Sequence, residues 1–430
     1  MKNLEQSMRS ISAGTLVVTL MILGCAPAAP YCNPDHCSGC CDSSGVCQAG
    51  TTIEACGSGG LDCNVCVPAQ GQVCTDMVCQ TPAPRPGPEL GNGDYSPSSV
   101  DFTEIAAPAS GLNRPTDLAF NPLRPDELWV VNAGDDSVVI VSAASTLSRT
   151  TERRKDGYAL HFMANPSSIA FGAPATSFGK PGTFATCQES RNSYGGAAAP
   201  NDFMGASLWS SDLTVFAKLN PNGLGSHLDM MHDSPLCMGI AHEANNTYWA
   251  FGGLSNSIIK YNFAGDNGIG NDDHSDGEAY QYITGQLKYA PGIPSHLAFR
   301  QADPSLFIAD TGNSRIVKMD TSSGTRGQAL SSFEPMAAHY QMEGAVVSEV
   351  ITKSSLLLQK PSGLELKGDL LYVSDNQNGR ISVFTLSGER VNYLDTGLAA
   401  GSLSGMAFGP DGKLYLVDMV GNRVLRVDPR

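Results

Sequence analysis

Hydrophobic and polar residues alternate with a period of two through much of the chain after residue 100, and one six-residue phrase recurs six times. The copies start 42 to 69 positions apart and read PTDLAF at Pro115, PSSIAF at Pro166, PLCMGI at Pro235, PSHLAF at Pro294, PSGLEL at Pro361 and LSGMAF at Leu403. Alternation with a period of two is typical of β-strands. Recurrence at this spacing predicts a fold of repeated units, a solenoid or a propeller.

A second alternating phrase follows each copy of the first, for example LFIADTGNSRIVKM after Pro294. In the second unit we expect this phrase at residues 206–217, ASLWSSDLTVFA. Each unit therefore runs strand, turn, strand, and no long helical period interrupts the series. Short strands with regular turn signals favour radial blades of four strands. The sequence predicts an all-β fold, a six-bladed β-propeller over residues 101–430.

Three units carry an Asp and an Arg on either side of a tight turn. They read DTGNSRI from Asp310 and DNQNGRI from Asp375, and Asp418 is followed by Asn422 and Arg423. The pattern resembles the NHL repeat closely in the last three units, whereas the first three share only its hydrophobic frame. The resemblance implies an NHL-like propeller in which the Asp and Arg pair across the turn and have a structural role.

The two ends of this region are expected to meet. The last unit ends at residue 430, and an alternating stretch, Val100 to Ile105, precedes the first unit. A ring of blades must close, because an open ring leaves unpaired strand edges. We therefore expect the Val100–Ile105 strand to complete the sixth blade.

NHL propellers include the lyase that completes peptide amidation, and its zinc-binding histidines directly follow the proline of the first phrase. The matching positions here are Thr116, Ser167, Leu236, Ser295, Ser362 and Ser404. None is a histidine, and the tyrosine that the lyase places between the Asp and the Arg is also missing. The resemblance therefore does not extend to that activity.

The N-terminus has the pattern of an export signal. Lys2 and Arg9 precede an apolar stretch from Ile11 to Gly24, which is too short for a comfortable membrane span. It ends in Ile-Leu-Gly-Cys25, which resembles a bacterial lipobox. The resemblance implies a signal peptide over 1–24, lipidation of Cys25, a membrane anchor and an outer-membrane or extracellular location. The alternative is an ordinary secretory signal cut near Ala26 to Ala29.

Thirteen cysteines divide into three groups. Cys25 is the lipidation candidate, ten more lie between residues 32 and 79, and Cys187 and Cys237 remain. In an exported chain this even count predicts five disulfides within a Cys-rich segment, 25–79, and a bridge between Cys187 and Cys237. Zinc is the alternative, because two CxxC pairs are present. Residues 80–100, rich in Pro, Gly and Ser, are expected to form an extended linker.

The charge of the chain limits its partners. Hydrophobic residues make up 41% and charged residues 16%, and the formal net charge is −15. Such a surface repels phosphate backbones and can attract cations, so nucleic acid is not an expected partner.

Three units are enlarged by insertions at 172–205, 264–293 and 321–360, and long loops on a rigid scaffold often carry function. In the second insertion, Asp272, His274 and Asp276 alternate and Gly277 follows them. This order resembles the first half of an EF-type Ca²⁺ loop, although the twelfth position is Ile283 rather than Glu. The alternative is a solvated acidic surface loop.

Histidines indicate a second kind of metal site. If the 264–293 insertion folds over the mouth of the channel, His232, His274 and His296 would converge. Imidazoles with carboxylates suit zinc or another transition metal, and the nearby methionines would also admit copper.

Three functions remain open. One is a surface-displayed scaffold that binds a protein, glycan or small ligand. The second is a metal-dependent lyase or hydrolase with a His/Asp site at the mouth of the channel, and the third is a structural component of the envelope. No complete catalytic motif is present, which favours the scaffold. Ligand atoms of His232, His274, His296 and Asp276 within about 5 Å would favour a metal site.

Overall fold

The computed structural model describes residues 31–81, 86–192 and 200–430. The chain divides into two compact units, with the boundary between Pro84 and Arg85. The expected signal peptide and Cys25 lie outside the described residues. Within the described ranges, no helix is long and apolar enough to cross a membrane.

The first unit is held together by five disulfides. They join Cys32 to Cys41, Cys37 to Cys47, Cys40 to Cys63, Cys56 to Cys74, and Cys66 to Cys79. Its short strands form two hairpins, Cys40–Cys41 with Cys47–Gln48 and Val73–Thr75 with Val78–Gln80, and Pro68–Gln70 is a 3₁₀ turn. Leu61 and Val65 are exposed, and the buried hydrophobic residues of this unit are cysteines. The predicted disulfide framework is confirmed, and it substitutes for an apolar core.

The second unit is a ring of six sheets, each built on four antiparallel strands. From the channel outward, blades one to three comprise Pro115–Phe120, Glu127–Asn132, Ser137–Ser142 and Thr150–Arg154; Pro166–Phe171, Thr183–Gln188, Ala206–Ser210 and His227–Met231; and Cys237–Ala244, Thr247–Gly252, Ser257–Asn262 and Glu278–Tyr282. Blades four to six comprise Leu297–Arg300, Ser305–Asp310, Arg315–Asp320 and Val347–Ile351; Pro361–Lys367, Leu370–Asp375, Arg380–Thr385 and Arg390–Asp395; and Leu403–Phe408, Leu414–Asp418, Arg423–Pro429 and Val100–Ala106. The predicted six-bladed, all-β fold is confirmed.

Helices in the described residues of the second unit are short connections. They are the α-helix Ala159–Phe162 and the 3₁₀ turns Pro88–Leu90, Pro97–Ser99, Pro108–Ser110, Thr311–Asn313 and Lys353–Ser355. The apolar core instead lies between blades, because the side chains of each sheet alternate between its two faces. Trp129, Trp209 and Trp249 are each fully buried there.

The N-terminal strand of the propeller closes the ring. Val100–Ala106 pairs antiparallel with Arg423–Pro429, with Val100 opposite Pro429 and Ala106 opposite Val424. This confirms that the strand completes blade six. Residues 86–99, which the sequence assigns to the linker, also pack on the propeller. Leu90 is buried beside Tyr372 and Val383, and the Glu89 carboxylate pairs with Lys367.

Blade two differs from the expected arrangement. Residues 206–210 form its third strand, and its second strand is Thr183–Gln188. Cys187 therefore lies in a fully buried strand rather than in the insertion loop. This strand was assigned to the insertion because a strand buried on both faces lacks the alternating polar residues that mark a half-buried strand.

The third insertion extends a neighbouring blade. Thr325–Ala329 and Ala338–Glu343 form a hairpin, and Ala338–Glu343 pairs in parallel with Glu278–Tyr282. Blade three thus becomes a six-stranded sheet. An insertion within blade four therefore reaches back along the ring toward the outer side of blades two and three.

The repeated Asp and Arg are cross-strand partners in all three copies. Arg315 Nε lies 2.7 Å from Asp310 Oδ2, and Arg423 Nη2 lies 2.6 Å from Asp418 Oδ2. The middle copy differs, because Asp375 accepts hydrogen bonds from the backbone of Gln359. The guanidinium of Arg380 lies over the ring of Tyr393. The expected pairing therefore forms in two of the three copies.

Candidate functional site

The innermost strands enclose a channel with a cavity of about 410 Å³. The repeated phrase directs its third and fifth residues inward, since alternate residues share a face of a strand. The fifth position is alanine in four blades, Gly239 in blade three, where Ala241 lines the cavity instead, and Glu365 in blade five. The third position supplies Asp117 and His296, so the apolar wall carries a small set of ionisable groups.

Asp117 and His296 form one polar contact in this channel. His296 Nε2 lies 3.7 Å from Asp117 Oδ2 and 3.2 Å from the carbonyl oxygen of Ser167. The Asp117 carboxylate also accepts hydrogen bonds from the backbone N–H groups of Leu118 and Ile169, at 2.8 and 3.0 Å. Burial nevertheless raises the pKa of Asp117, against the opposing effects of the imidazole and these hydrogen bonds.

Glu365 is the second buried acid of the channel. Loss of hydration, followed by the nearby charge of Asp117, raises its pKa to about 8. The side chain is therefore mainly protonated at neutral pH and can donate a hydrogen bond. Groups with strongly shifted pKa values in a cavity are candidates for ligand contact.

A collar of hydroxyl groups joins the blades at one end of the channel. These residues occupy the second position of the phrase. The hydrogen bonds run from Thr116 to Pro166 O, Ser167 to Cys237 O, Ser362 to Pro294 O and Ser404 to Thr116 O, at 2.6 to 2.8 Å. In blade four, Ser295 contacts Thr311, which reaches Pro361 O. The sequence signal was a hydroxyl in five of six phrases.

The blades approach closely beside this collar. A Cβ atom on Gly405 would lie 2.2 Å from Asp117 Oδ1, so only glycine permits this approach of blade six to blade one. The channel is therefore narrow at the collar. At the other end of the phrase lie Phe120, Phe299 and Phe408.

A second cluster of ionisable groups lies on the outer side of blades two and three. His232 follows the outermost strand of blade two, His274 lies in the insertion of blade three, and Glu334 lies in the hairpin from blade four. Glu334 Oε2 is 2.8 Å from His232 Nδ1 and 3.0 Å from His274 Nε2. Both imidazoles are buried, whereas the Glu334 side chain is 31% exposed.

A buried carboxylate orients His274 from the opposite side. His274 Nδ1 donates a hydrogen bond of 2.7 Å to Oδ1 of Asp229, which lies in the outermost strand of blade two. On the other imidazole, the ring of Phe203 stacks at a centroid distance of 3.5 Å and fixes the plane of His232. Both rings are therefore held by groups outside the three-residue cluster.

The electrostatics of this cluster are strongly coupled. Burial opposes protonation of His274, but its hydrogen bonds to Asp229 and Glu334 outweigh that effect and raise its pKa to about 10. Burial favours the neutral form of Glu334, yet hydrogen bonds from the two imidazoles lower its pKa to about 2. Burial lowers the pKa of His232 despite Glu334, and it raises the pKa of Asp229 to about 6.

The structure brings together two of the three histidines expected to converge. His232 and His274 share Glu334, whereas His296 lies in the central channel against Asp117. The expectation placed the inserted loop over the channel, but the loop folds against the outermost strand of blade two. Glu334 was not anticipated, because no motif surrounds it and 60 residues separate it from His274.

The expected EF-type arrangement is not formed. Asp272 and Asp276 are exposed and His274 is buried, so the three side chains do not share one face. Among the described residues, the ligand atoms of these three do not form a group within metal-binding reach. The imidazole of His274 is instead engaged by Asp229 and Glu334. The exposed acids fit the solvated-loop alternative.

Cys187 and Cys237 are joined by a disulfide in the structure. Cys187 lies in the second strand of blade two and Cys237 in the innermost strand of blade three. The bond therefore links adjacent blades directly.

No protein-family model matches the chain, and no curated protein sequence matches it. Solved structures do match. An auxiliary nutrient binding protein from Bacteroides ovatus is 11% identical over 77% of this chain and 76% of that chain, with a TM-score of 0.45. A second such protein, from Bacteroides thetaiotaomicron, is 10% identical over 73% and 68%, with a TM-score of 0.43. A catalytically inactive virginiamycin B lyase from Staphylococcus aureus, solved with quinupristin, is 11% identical over 77% and 88%, with a TM-score of 0.43. The likeness is one of fold.

Proposed function

We propose that this protein is an exported, lipid-anchored envelope protein that binds a small organic cation in the central channel of its propeller. The observation that carries the ligand proposal is the placement of Asp117 and Glu365 in a cavity of about 410 Å³ whose other lining residues, except His242 and His296, are apolar. Small-molecule sites typically combine apolar walls with a few polar groups in cavities of about 300–1,000 Å³.

The two acids favour a cationic ligand. Burial disfavours their charged forms, as the raised pKa values of Asp117 and Glu365 indicate. An ammonium group beside them would stabilise both carboxylates, because opposite charges interact strongly where water is excluded. The alanine walls and the rings of Phe120 and Phe299 would contact the hydrocarbon part of such a ligand.

Export is supported by the cysteines. Ten cysteines of the first unit form five disulfides, which persist in oxidising compartments and are rare in the cytosol. The lipid anchor rests on the lipobox-like sequence that ends at Cys25. Metabolic labelling with a fatty acid should mark the wild-type protein but not a Cys25→Ala variant. Equal labelling of both would refute the anchor.

Calorimetry on the purified full-length protein tests the ligand class. The panel contains small primary and quaternary amines and neutral alcohols of the same shape, with oligosaccharides and peptides as competing classes. We expect amines to bind and the matched alcohols to bind at least tenfold more weakly. Glu365→Gln and Asp117→Asn should each weaken amine binding at least tenfold, whereas Glu104→Gln, at an exposed strand position, should not.

Proton release on binding provides a second test of the ligand class. A cation that ionises Glu365 must release a proton at neutral pH, so the binding enthalpy should depend on the ionisation enthalpy of the buffer. Glu365→Gln should abolish that dependence. Equal affinity for amines and alcohols, or binding unaffected by Glu365→Gln, would overturn the proposal.

A further inference from the structure

We propose that His232, His274 and Glu334 bind a divalent transition-metal ion, best matched by Zn²⁺, at a site on the outer side of blades two and three. This site is separate from the channel and does not depend on the function proposed for it.

The topology shows that three distant segments meet at this point. His232 belongs to the connection after blade two, His274 to the insertion of blade three, and Glu334 to the hairpin contributed by blade four. The hairpin reaches the site because Ala338–Glu343 pairs with the outermost regular strand of blade three. A shared ligand set is one physical reason for such long insertions to converge.

The geometry matches a small, nitrogen-rich site. One ligand atom from each residue lies within 4.8 Å of the other two. In a tetrahedral zinc site, bonds of about 2.0–2.1 Å place ligand atoms about 3.3 Å apart. The separations from Glu334 Oε2, 2.8 Å to His232 and 3.0 Å to His274, require only a small expansion.

Asp229 occupies the place of a supporting carboxylate. It accepts a hydrogen bond from His274 Nδ1, which directs the Nε2 atom of the same ring toward Glu334. A metal-bound histidine commonly donates its second ring N–H to a carboxylate in this way, which fixes the tautomer and increases the basicity of the ligand.

Two buried atoms leave the hydrogen-bond network incomplete. Among the described residues, neither His232 Nε2 nor Asp229 Oδ2 has a hydrogen-bond partner. The side chains of His232 and Asp229 are only 4% and 0% exposed. Buried unpaired polar atoms are costly. A dication held by His274 Nε2 would polarise the Nδ1–H group that donates to Asp229 and thereby stabilise this buried carboxylate.

The donor set selects among metals. Two imidazoles and one carboxylate suit Zn²⁺ and similar transition metals, whereas Ca²⁺ and Mg²⁺ prefer all-oxygen sites. Glu334 is the partly exposed member of the set and marks the solvent side. Three protein ligands leave a position for water or another ligand on that side, as in exchangeable zinc sites.

Metal titration of the purified, chelator-treated full-length protein tests the site. We expect about one equivalent of Zn²⁺ to bind, with Ca²⁺ and Mg²⁺ unable to compete. His232→Ala and Glu334→Gln should each weaken zinc binding at least 100-fold, and Asp229→Asn should weaken it 10–100-fold. His36→Ala, which removes an exposed histidine of the Cys-rich unit, should have no effect.

A measurement on the wild-type protein guards against variants that fail to fold. X-ray absorption of the zinc-loaded protein should show two imidazole nitrogens, and the cobalt-substituted protein should show the strong visible absorption of four- or five-coordinate sites. Absence of stoichiometric zinc binding, an all-oxygen coordination shell, or unchanged affinity in His232→Ala would overturn the proposal. The cluster would then be an ion-pair network that fixes the insertions.

Discussion

The hydroxyl of Ser404 donates a hydrogen bond of 2.6 Å to the backbone carbonyl oxygen of Thr116, and this contact joins the last blade to the first inside the channel. Equivalent hydroxyls connect several other blades. The second position of the phrase therefore serves ring closure here.

Replacement of Ser404 by alanine tests the closing bond. The Ser404→Ala variant leaves the buried Thr116 carbonyl without this donor, so the free energy of unfolding should fall by about 1–2 kcal/mol. Denaturant titration measures this change. The matched control is Ser387→Ala, an exposed serine of blade five, which should change stability by less than about 0.5 kcal/mol. Equal losses in the two variants would contradict a special role for the collar.

The closing strand offers a second test. Ile105 is buried against Leu118, Val130 and Val424, so Ile105→Ala should lower the free energy of unfolding by about 2–4 kcal/mol. The control is its neighbour Glu104 on the same strand, because Glu104→Ala removes only a solvent-exposed side chain. Thermal and denaturant unfolding should separate the two variants. A similar stability for both would mean that the strand does not secure the ring.

Two of the repeated arginines, Arg315 and Arg380, should differ in their contribution to the free energy of unfolding. Arg315→Ala should cost about 2 kcal/mol, because it leaves the fully buried Asp310 carboxylate without its ionic partner. Arg380→Ala should cost less than about 1 kcal/mol, since Arg380 contacts the Tyr393 ring and a half-exposed Asp395. The free energies of unfolding of both variants test this difference, and a larger loss for Arg380→Ala than for Arg315→Ala would contradict it.

Glu365 predicts a pH dependence of stability. In the unfolded chain its carboxyl ionises near pH 4.5, whereas in the folded protein it remains protonated up to about pH 8. Its contribution to the free energy of unfolding is therefore complete below pH 4.5 and declines as the pH rises to about 8. The other titratable groups lining the channel are Asp117, His242 and His296.

Glu365→Gln should remove this decline. As the pH rises from 5 to 9, the free energy of unfolding of the variant should increase by at least about 1 kcal/mol relative to that of the wild type. Glu104→Gln should retain the wild-type profile. Parallel profiles for the wild type and Glu365→Gln would show that this carboxyl ionises normally in the folded protein.

Prediction of the candidate sites was partial for identifiable reasons. His232 and His274 were expected to meet, but His296 was wrongly included because the path of the insertion was unknown. Glu334 had no sequence signal, since it lies in a hairpin whose position is set only when its strand Ala338–Glu343 pairs with Glu278–Tyr282 of blade three. Glu365 stands in the repeat where the other blades have alanine or glycine, and that irregularity in the phrase was a signal that could have been used.

Local repetition is what the sequence by itself determined. Each phrase encodes a strand with a period of two, and each turn reverses the direction of the chain. The number of blades and the closing strand therefore follow from short stretches of sequence. The clustered cysteines likewise predict a disulfide framework. Tertiary structure alone decided which insertions meet, because contacts among His232, His274 and Glu334 depend on how three loops fold across neighbouring blades. Such contacts join residues about 40 to 100 positions apart, and no local periodicity specifies them.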